Sequence, residues 1–330
     1  MPQFRWAEAA AAIGTNVRMA ALVVTPAVPG CPNVLTAMRN PFTDVPDGES
    51  EDLELVRRAQ AGNREALEHL ITRHQAWIYN IAVRMLYHPQ DAEDATQEIL
   101  FKALTRLSSF EGRSSFRTWL YRIAVNHVLN AKRGRREPEA LSFGCYGHGL
   151  DQTPDLDPPD PASVPVDVRV LVDEARIGCT SGMLLCLDRE QRLIYILGEI
   201  FEVSDAVGAE LLEISRENFR QRLARARRDL HNFMNDKCGL VNCANPCRCA
   251  KKTRGFMQAG YVDPANLLFA RERLRQVREV VRAKADALAT LDYQYAQIYR
   301  QHPFYEAPDL VPALRQLLGS PDFHRATDLP

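Results

Sequence analysis

The chain is as informative in what it lacks as in what it holds. No apolar run approaches the roughly 18 residues that a bilayer-spanning helix needs. The run from Met19 to Val28 follows Arg18 in the manner of a signal peptide, but Pro26 and Pro29 interrupt it and no clear cleavage site follows. There is no G-x-x-x-x-G-K-[ST] phosphate loop, no dinucleotide-binding glycine motif, no H-E-x-x-H and no G-x-S-x-G. No H-x-E precedes the cysteines, which removes a zinc deaminase as well. No internal repeat is present. The expectation is a protein without catalysis of its own. Net charge is also nearly absent, at -1, and selects no partner. With 330 residues, 46% of them apolar, the chain is large enough for two or three cores.

The charge is segregated, and local patches matter more than the sum. Asp91, Glu93, Asp94 and Glu98 open one amphipathic stretch. A polar break at Glu111–Ser115 follows. Phe116, Trp119, Leu120, Ile123 and Ala124 then recur at helical spacing, and the stretch ends in Lys132, Arg133, Gly134, Arg135 and Arg136. An acidic helix suits a basic protein partner, whereas an aromatic helix with a basic end suits a nucleic acid whose bases can stack. Upstream, residues 51–87 predict two helices broken at Ala61–Asn63, with Asn63 capping the second and His88-Pro89 ending it. His74 falls on its apolar face and reads as a core residue rather than a ligand. Gln90-Asp91 is expected to open the acidic helix.

Residues 168–234 predict further helices. One starts at Leu187–Arg192; Ser204 caps the next, and Ser215 caps Arg216 to Leu230 after a turn at Glu213–Ser215, a helix-turn-helix pattern. The last helix carries Arg216, Arg220, Arg222, Arg225, Arg227 and Arg228, opposed only by Glu217 and Asp229, with Phe219, Leu223, Ala226 and Leu230 as its inner stripe. Such a face favours DNA.

The strings Asp91-Ala92-Glu93-Asp94-Ala95-Thr96-Gln97-Glu98 and Phe116-Arg117-Thr118-Trp119-Leu120-Tyr121-Arg122-Ile123-Ala124-Val125-Asn126 closely resemble the minus-ten-recognising domain of bacterial sigma factors of the extracytoplasmic-function group. The helix-turn-helix block resembles the minus-thirty-five-recognising domain of the same group, departing from it at Phe201–Ala206. Together the resemblance covers roughly residues 51–234 and neither end of the chain. It implies an all-α protein of two small helical domains that binds core RNA polymerase, recognises a two-part promoter and promotes strand opening. It further implies that Asp91, Asp94, Gln97 and Glu98 dock on polymerase. Phe110, Arg117, Asn126, Asn130, Lys132, Arg133, Arg135 and Arg136 would meet the single-stranded minus-ten element. Arg216, Arg220, Gln221, Arg225 and Arg228 would meet the duplex upstream element. The rival reading is a helix-turn-helix regulator that acts without polymerase and carries a zinc- or thiol-based sensor.

The remaining segments are expected as follows. Residues 1–50 form a disordered extension, with translation starting at Met1 or Met38. Residues 137–167 form a flexible linker whose portion from Asp151 to Asp167 holds five Asp, five Pro and no basic residue. Residues 235–254 hold Cys238, Cys243, Cys247 and Cys249, a spacing that offers zinc four thiolates, with Cys179 or Cys186 as a substitute for Cys243. Arg248 and Lys251-Lys252 are expected to favour thiolate, so a redox switch is the alternative to zinc, and inert thiols the third reading. One tight cluster rather than scattered even pairs points to a reducing cytoplasm. Residues 255–330 form a helical extension, with one long helix over 263–301 capped by Asp263 and a shorter one over 309–318. That extension is expected either to regulate the chain from within or to leave regulation to an anti-sigma factor.

Overall fold

The computed structural model describes residues 46–130, 141–270, 291–300, 302 and 304–318. These residues form helices, and among them there is no strand. The expected extension over residues 1–50 lies outside the described residues up to 45, and the first helix, α1 (Pro46–Gln60), starts before Glu51.

α2 (Arg64–Leu86) begins where Asn63 accepts the Ala66 N–H at 2.9 Å, as its sequence predicts. It ends at Tyr87, which adopts φ 70° and hands the chain over to α3 (Pro89–Thr105). The acidic helix opens at Pro89 rather than Gln90. Proline suits a first helical position because its missing N–H would be unpaired there anyway, and the His88 ring accepts the Gln90 N–H at 3.3 Å. α4 (Phe116–Asn130) completes the first group, with Leu120, Ala124 and Val128 buried against Ile78, Met85, Ile99 and Leu104 of α2 and α3.

This first core encloses a charge. Asp52 of α1 is fully buried, 2.8 Å from Arg73, 2.7 Å from Arg117 and 3.5 Å from His74. Burial pushes the Asp52 carboxyl up, but the His74 hydrogen bond and the Arg117 guanidinium outweigh it and the net shift is downward. The His74 ring lies 3.0 Å from the Tyr121 hydroxyl and is buried, which holds its pKa below the ordinary value even against the pull of Asp52. His74 is a core residue, as its place on the apolar face predicts.

The second group holds α5 (Phe143–Gln152), α6 (Val168–Leu185), α7 (Arg189–Tyr195), α8 (Asp205–Leu212) and α9 (Arg216–Lys237). Asp188, Ser204 and Ser215 cap α7, α8 and α9 through Gln191, Val207 and Asn218 at 2.8, 3.3 and 3.1 Å. α8 and α9 form the predicted helix-turn-helix, with Glu213 in the left-handed region at the turn. Their close approach needs Gly208: a Cβ there would lie 2.4 Å from the Phe219 ring. A π-helical turn over Ile196–Ile200 extends α7.

Two expectations need correction. The segment 137–167 is not a free linker where it is described: α5 lies within it, and Asp151 pairs with Lys237 at 2.9 Å. Lys252, in α10 (Cys249–Gln258), is buried, and its ammonium must find acceptors. It takes the Leu150 carbonyl at 3.0 Å and Asp155 at 3.2 Å, while the Leu156 N–H donates to the Lys251 carbonyl at 2.9 Å. The acidic stretch is fastened to α10.

The second correction concerns 263–301. Residues 261–270 are not helical, and Asp263 caps a local turn by accepting the Ala265 N–H at 2.9 Å. The buried Glu174 carboxylate instead takes the N–H groups of Leu268, Phe269 and Ala270 at 2.7, 3.0 and 2.7 Å, which sinks Leu267 and Phe269 against α6. Residues 271–290 lie outside the described residues. α11 (Leu291–Arg300) and α12 (Val311–Leu318) follow, the latter within the span expected for the shorter helix.

Both groups share one core. Trp77 of α2 meets Phe201 at 4.9 Å between ring centroids, and the buried Arg192 of α7 donates to the Met85 carbonyl at 2.6 Å.

His74 fixes a pH dependence. Its folded pKa lies below the unfolded value near 6.5, so the unfolded chain binds the extra proton and stability falls as pH drops through that value. Asp52 adds a further loss only below its own ordinary value of 3.8. The thermal midpoint should therefore decline between about pH 7 and 5. The decline should be smaller for His74→Gln; equal slopes would show that His74 is not the group responsible.

Candidate nucleic-acid interface

Three surfaces carry the residues singled out from the sequence. The first is the outer face of α3. Ala92, Ala95, Thr96 and Ile99 face the core, which leaves Asp94 and Glu98 exposed and Asp91 and Gln97 partly exposed on the other side. Four residues of one ridge thus present carboxylate and amide oxygen to solvent. Phe101, one turn further on, is 37% exposed and continues the ridge from Asp94 and Glu98. Sequence reading passed over it, although its i, i+3, i+7 spacing from Glu98 and Asp94 was the available signal. Glu98 also reaches toward His127 of α4, at 3.9 Å, and His127 lies 2.7 Å from Lys102. Partial burial, then Lys102, holds the His127 pKa down.

The second surface is α4. Asn126 and Asn130 are exposed on the same side, one turn apart, and the Asn130 amide donates to the Asn126 carbonyl at 2.8 Å. Two other predicted contacts are taken up by the fold. Phe110 is buried and packs against Phe116 and Trp119 at 5.7 and 5.3 Å between centroids. Arg117 turns inward to Asp52, because a buried carboxylate must be paired and α4 places this guanidinium within reach. Lys132, Arg133, Arg135 and Arg136 lie outside the described residues.

The third surface is α9. Arg216, Arg220, Gln221, Arg225 and Arg228 are exposed, as expected from the Phe219–Leu223–Ala226–Leu230 stripe opposite them. Arg220 lies 3.2 Å from Asp205 at the start of α8 yet keeps 59% of its side chain exposed. The other two arginines serve the fold: Arg222 pairs with Glu190 and Arg227 with the buried Glu199.

Among the described residues no three His, Cys, Asp or Glu side chains are placed to hold an ion. Cys238 is buried at the end of α9, Cys243 is exposed, and Cys247 and Cys249 are half-buried at the entry to α10. Nor does the pull of the cations prevail: Lys252 draws the Cys247 thiol down, but burial outweighs it. Burial pushes the Cys249 thiol up to about 12, with Cys238 and Cys247 adding to it, and burial raises Cys238 and Cys247 as well. The Arg248 guanidinium is spent on the backbone carbonyls of Cys243 and Cys247, at 3.0 and 2.8 Å. The proposed substitutes fare no better, since burial raises Cys179 and Cys186 also.

The helical unit that carries the acidic ridge and the exposed asparagine pair falls within a stretch that is similar to known proteins. Residues 70–137 match the family model Sigma-70 region 2. The RNA polymerase sigma-H factor of Pseudomonas aeruginosa is 40% identical over 94 residues, 28% of this chain and 49% of that protein. The ECF RNA polymerase sigma-E factor of Escherichia coli K12 is 42% identical over 92 residues, 27% of this chain and 47% of that protein. The chain thus spans about half the length of these two curated relatives. The ECF RNA polymerase sigma-E factor of Haemophilus influenzae is matched more fully, at 28% identity over 186 residues, 55% of this chain and 94% of that protein. The likeness is to the sigma-70 family, through region 2 alone. Within it, the chain is similar to extracytoplasmic-function RNA polymerase sigma factors.

Arg117 separates a folding role from a binding role. Arg117→Met leaves a buried carboxylate short of one partner and should cost about 1–3 kcal/mol of stability. Urea titration reads that loss, which should shrink in an Asp52→Asn background. A fully stable variant with weakened DNA binding would return Arg117 to the interface.

Proposed function

We propose that the chain joins core RNA polymerase, recognises a two-part promoter and helps separate its strands for transcription initiation. The observation that carries this reading is the separation of three outward-facing surfaces on one helical scaffold. Each has the chemistry of a different partner. The Asp94–Glu98 ridge, with Phe101 at its end, suits a basic protein surface: opposite charge speeds encounter and fixes register, and an aromatic gives the contact an apolar anchor. The Asn126–Asn130 pair offers amide donors and acceptors to the edge of an unstacked base. Extruding a base costs a few kcal/mol, which contacts of that kind must offset. The α9 arginines suit duplex phosphates and guanine edges in the major groove. No helix among the described residues is long and apolar enough to cross a membrane. A cytoplasmic site of action and control by an anti-sigma factor accord with this reading.

Run-off transcription with core polymerase on genomic fragments tests the function. Asn126→Ala or Asn130→Ala should cost about 1–3 kcal/mol on the preferred promoter and less on a promoter changed at the base they read. An equal loss on every promoter would make the pair structural. Arg225→Ala should weaken upstream-element binding and leave polymerase pull-down intact. Promoter-specific DNA binding without any retention of polymerase would favour the polymerase-independent regulator.

A further inference from the structure

The helices that carry the two surfaces assigned to DNA are tied together beside those surfaces. Arg122 of α4, one turn before Asn126, reaches Glu213 in the helix-turn-helix turn at 3.4 Å and donates to the Glu210 carbonyl of α8 at 3.1 Å. Arg189 at the start of α7 donates to the Leu129 carbonyl at the end of α4, at 3.3 Å. Glu213 lies two residues before Ser215, the cap of the arginine helix. If two promoter elements are separated by even one turn of duplex, about 34–36 Å, their readers must stand that far apart. The 3.4 Å ion pair between Arg122 and Glu213 opposes any such separation of the helices that carry them.

One stretch of chain fastens this arrangement from outside. α11 is seated on the helix-turn-helix group: Tyr299 meets Tyr195 at 5.7 Å and donates to the Met234 sulfur at 3.6 Å, and Tyr295 stacks on His231 at 4.1 Å. Arg300 donates to the Glu199 carbonyl at 2.6 Å and pairs with Glu202 at 2.7 Å. A few residues on, the chain is bound to α2. The buried Asn80 side chain donates to the Tyr305 carbonyl at 2.7 Å and accepts the Tyr305 N–H at 3.0 Å. Leu310 and Leu314 are buried, and Arg315 makes a two-pronged contact with Glu68, both bonds 2.7 Å. Between these anchorages the His302 ring lies 2.7 Å from the Thr180 hydroxyl of α6.

We propose that the described residues of 291–300, 302 and 304–318 form a strap that clasps the α2 helix to the helix-turn-helix group and keeps the chain in a closed, autoinhibited form, released when both promoter elements are engaged. The inhibitory role rests on the promoter-recognition reading; the clasp itself does not. The strap crosses the seam between the two groups and contributes backbone groups to a buried amide. That is the chemistry of a structural clasp rather than of a loose tail.

The test uses the full chain. Leu310→Asp with Leu314→Asp places two carboxylates under the strap, and far-UV circular dichroism checks that the helices remain. Small-angle scattering should then report a larger radius of gyration than wild type. Run-off transcription at equal polymerase occupancy should rise several-fold. Arg315→Glu alone should give a smaller effect in the same direction, and Glu68→Arg added to it should restore wild-type values. An unchanged radius in the Leu310/Leu314 variant would overturn the clasp. An expanded variant with equal or lower transcription would overturn its inhibitory role. If neither wild type nor variant yields transcript with polymerase bound, the promoter reading and the inhibitory role fall together, while the scattering still decides the clasp.

Discussion

α2 buries three polar side chains, and each must find a partner within the fold because an unpaired polar group in a core costs too much to keep. His74 is answered by Asp52 of α1 and Tyr121 of α4. Asn80 is answered by the backbone of Tyr305. Arg84 donates to the Asn80 side chain at 2.8 Å and lies over the rings of Phe201 and Tyr305. One helix thereby recruits its own domain, the helix-turn-helix group and the C-terminal strap. The apolar contacts among these parts are more extensive, but they are not directional. The three polar groups give the assembly its register.

The surfaces left over are the ones with chemistry to offer a partner. Carboxylates line α3, amides line α4 and guanidinium groups line α9, and each set stands opposite a face committed to the core. Where a charged residue could serve either side, burial of its counter-charge decides. Arg117 goes to Asp52 and Arg227 to Glu199, because those carboxylates are enclosed, whereas Arg225 and Arg228 have no such claim on them and stay outside. The cysteines follow the same rule. Arg248 spends its donors on carbonyls, and burial outweighs the pull of the remaining cations on the thiols.

Much of this was legible in the sequence, and the rest failed for identifiable reasons. Helix starts at Asn63, Asp188, Ser204 and Ser215 were readable because a cap is a local interaction between residues two or three apart. The stripe of α9 correctly separated Arg220 and Arg225 from the core. The inward contacts of Phe110 and Arg117 were not legible because their partners, Trp119 and Asp52, become neighbours only after the chain folds. The acidic segment 151–167 looked unable to fold alone, and composition could not show that a buried Lys252 would hold it. The break in helicity over 261–270 was hidden for the same reason: the residue responsible is Glu174, more than ninety positions away.

The π-helical turn at Ile196–Ile200 has a consequence for recombination. By bonding the Phe201 N–H to the Ile196 carbonyl, it swings Phe201 out of the helix-turn-helix unit and onto Trp77 and Arg84. It does so at the very place where the sequence leaves the pattern it otherwise resembles. Helix-turn-helix units are often regarded as interchangeable cassettes. Here the cassette carries a plug for the other domain. A transplanted unit with a polar residue at this position would leave an aromatic ring and a guanidinium uncovered on the recipient. Exchange between relatives would therefore be constrained by α2, which lies outside the exchanged unit.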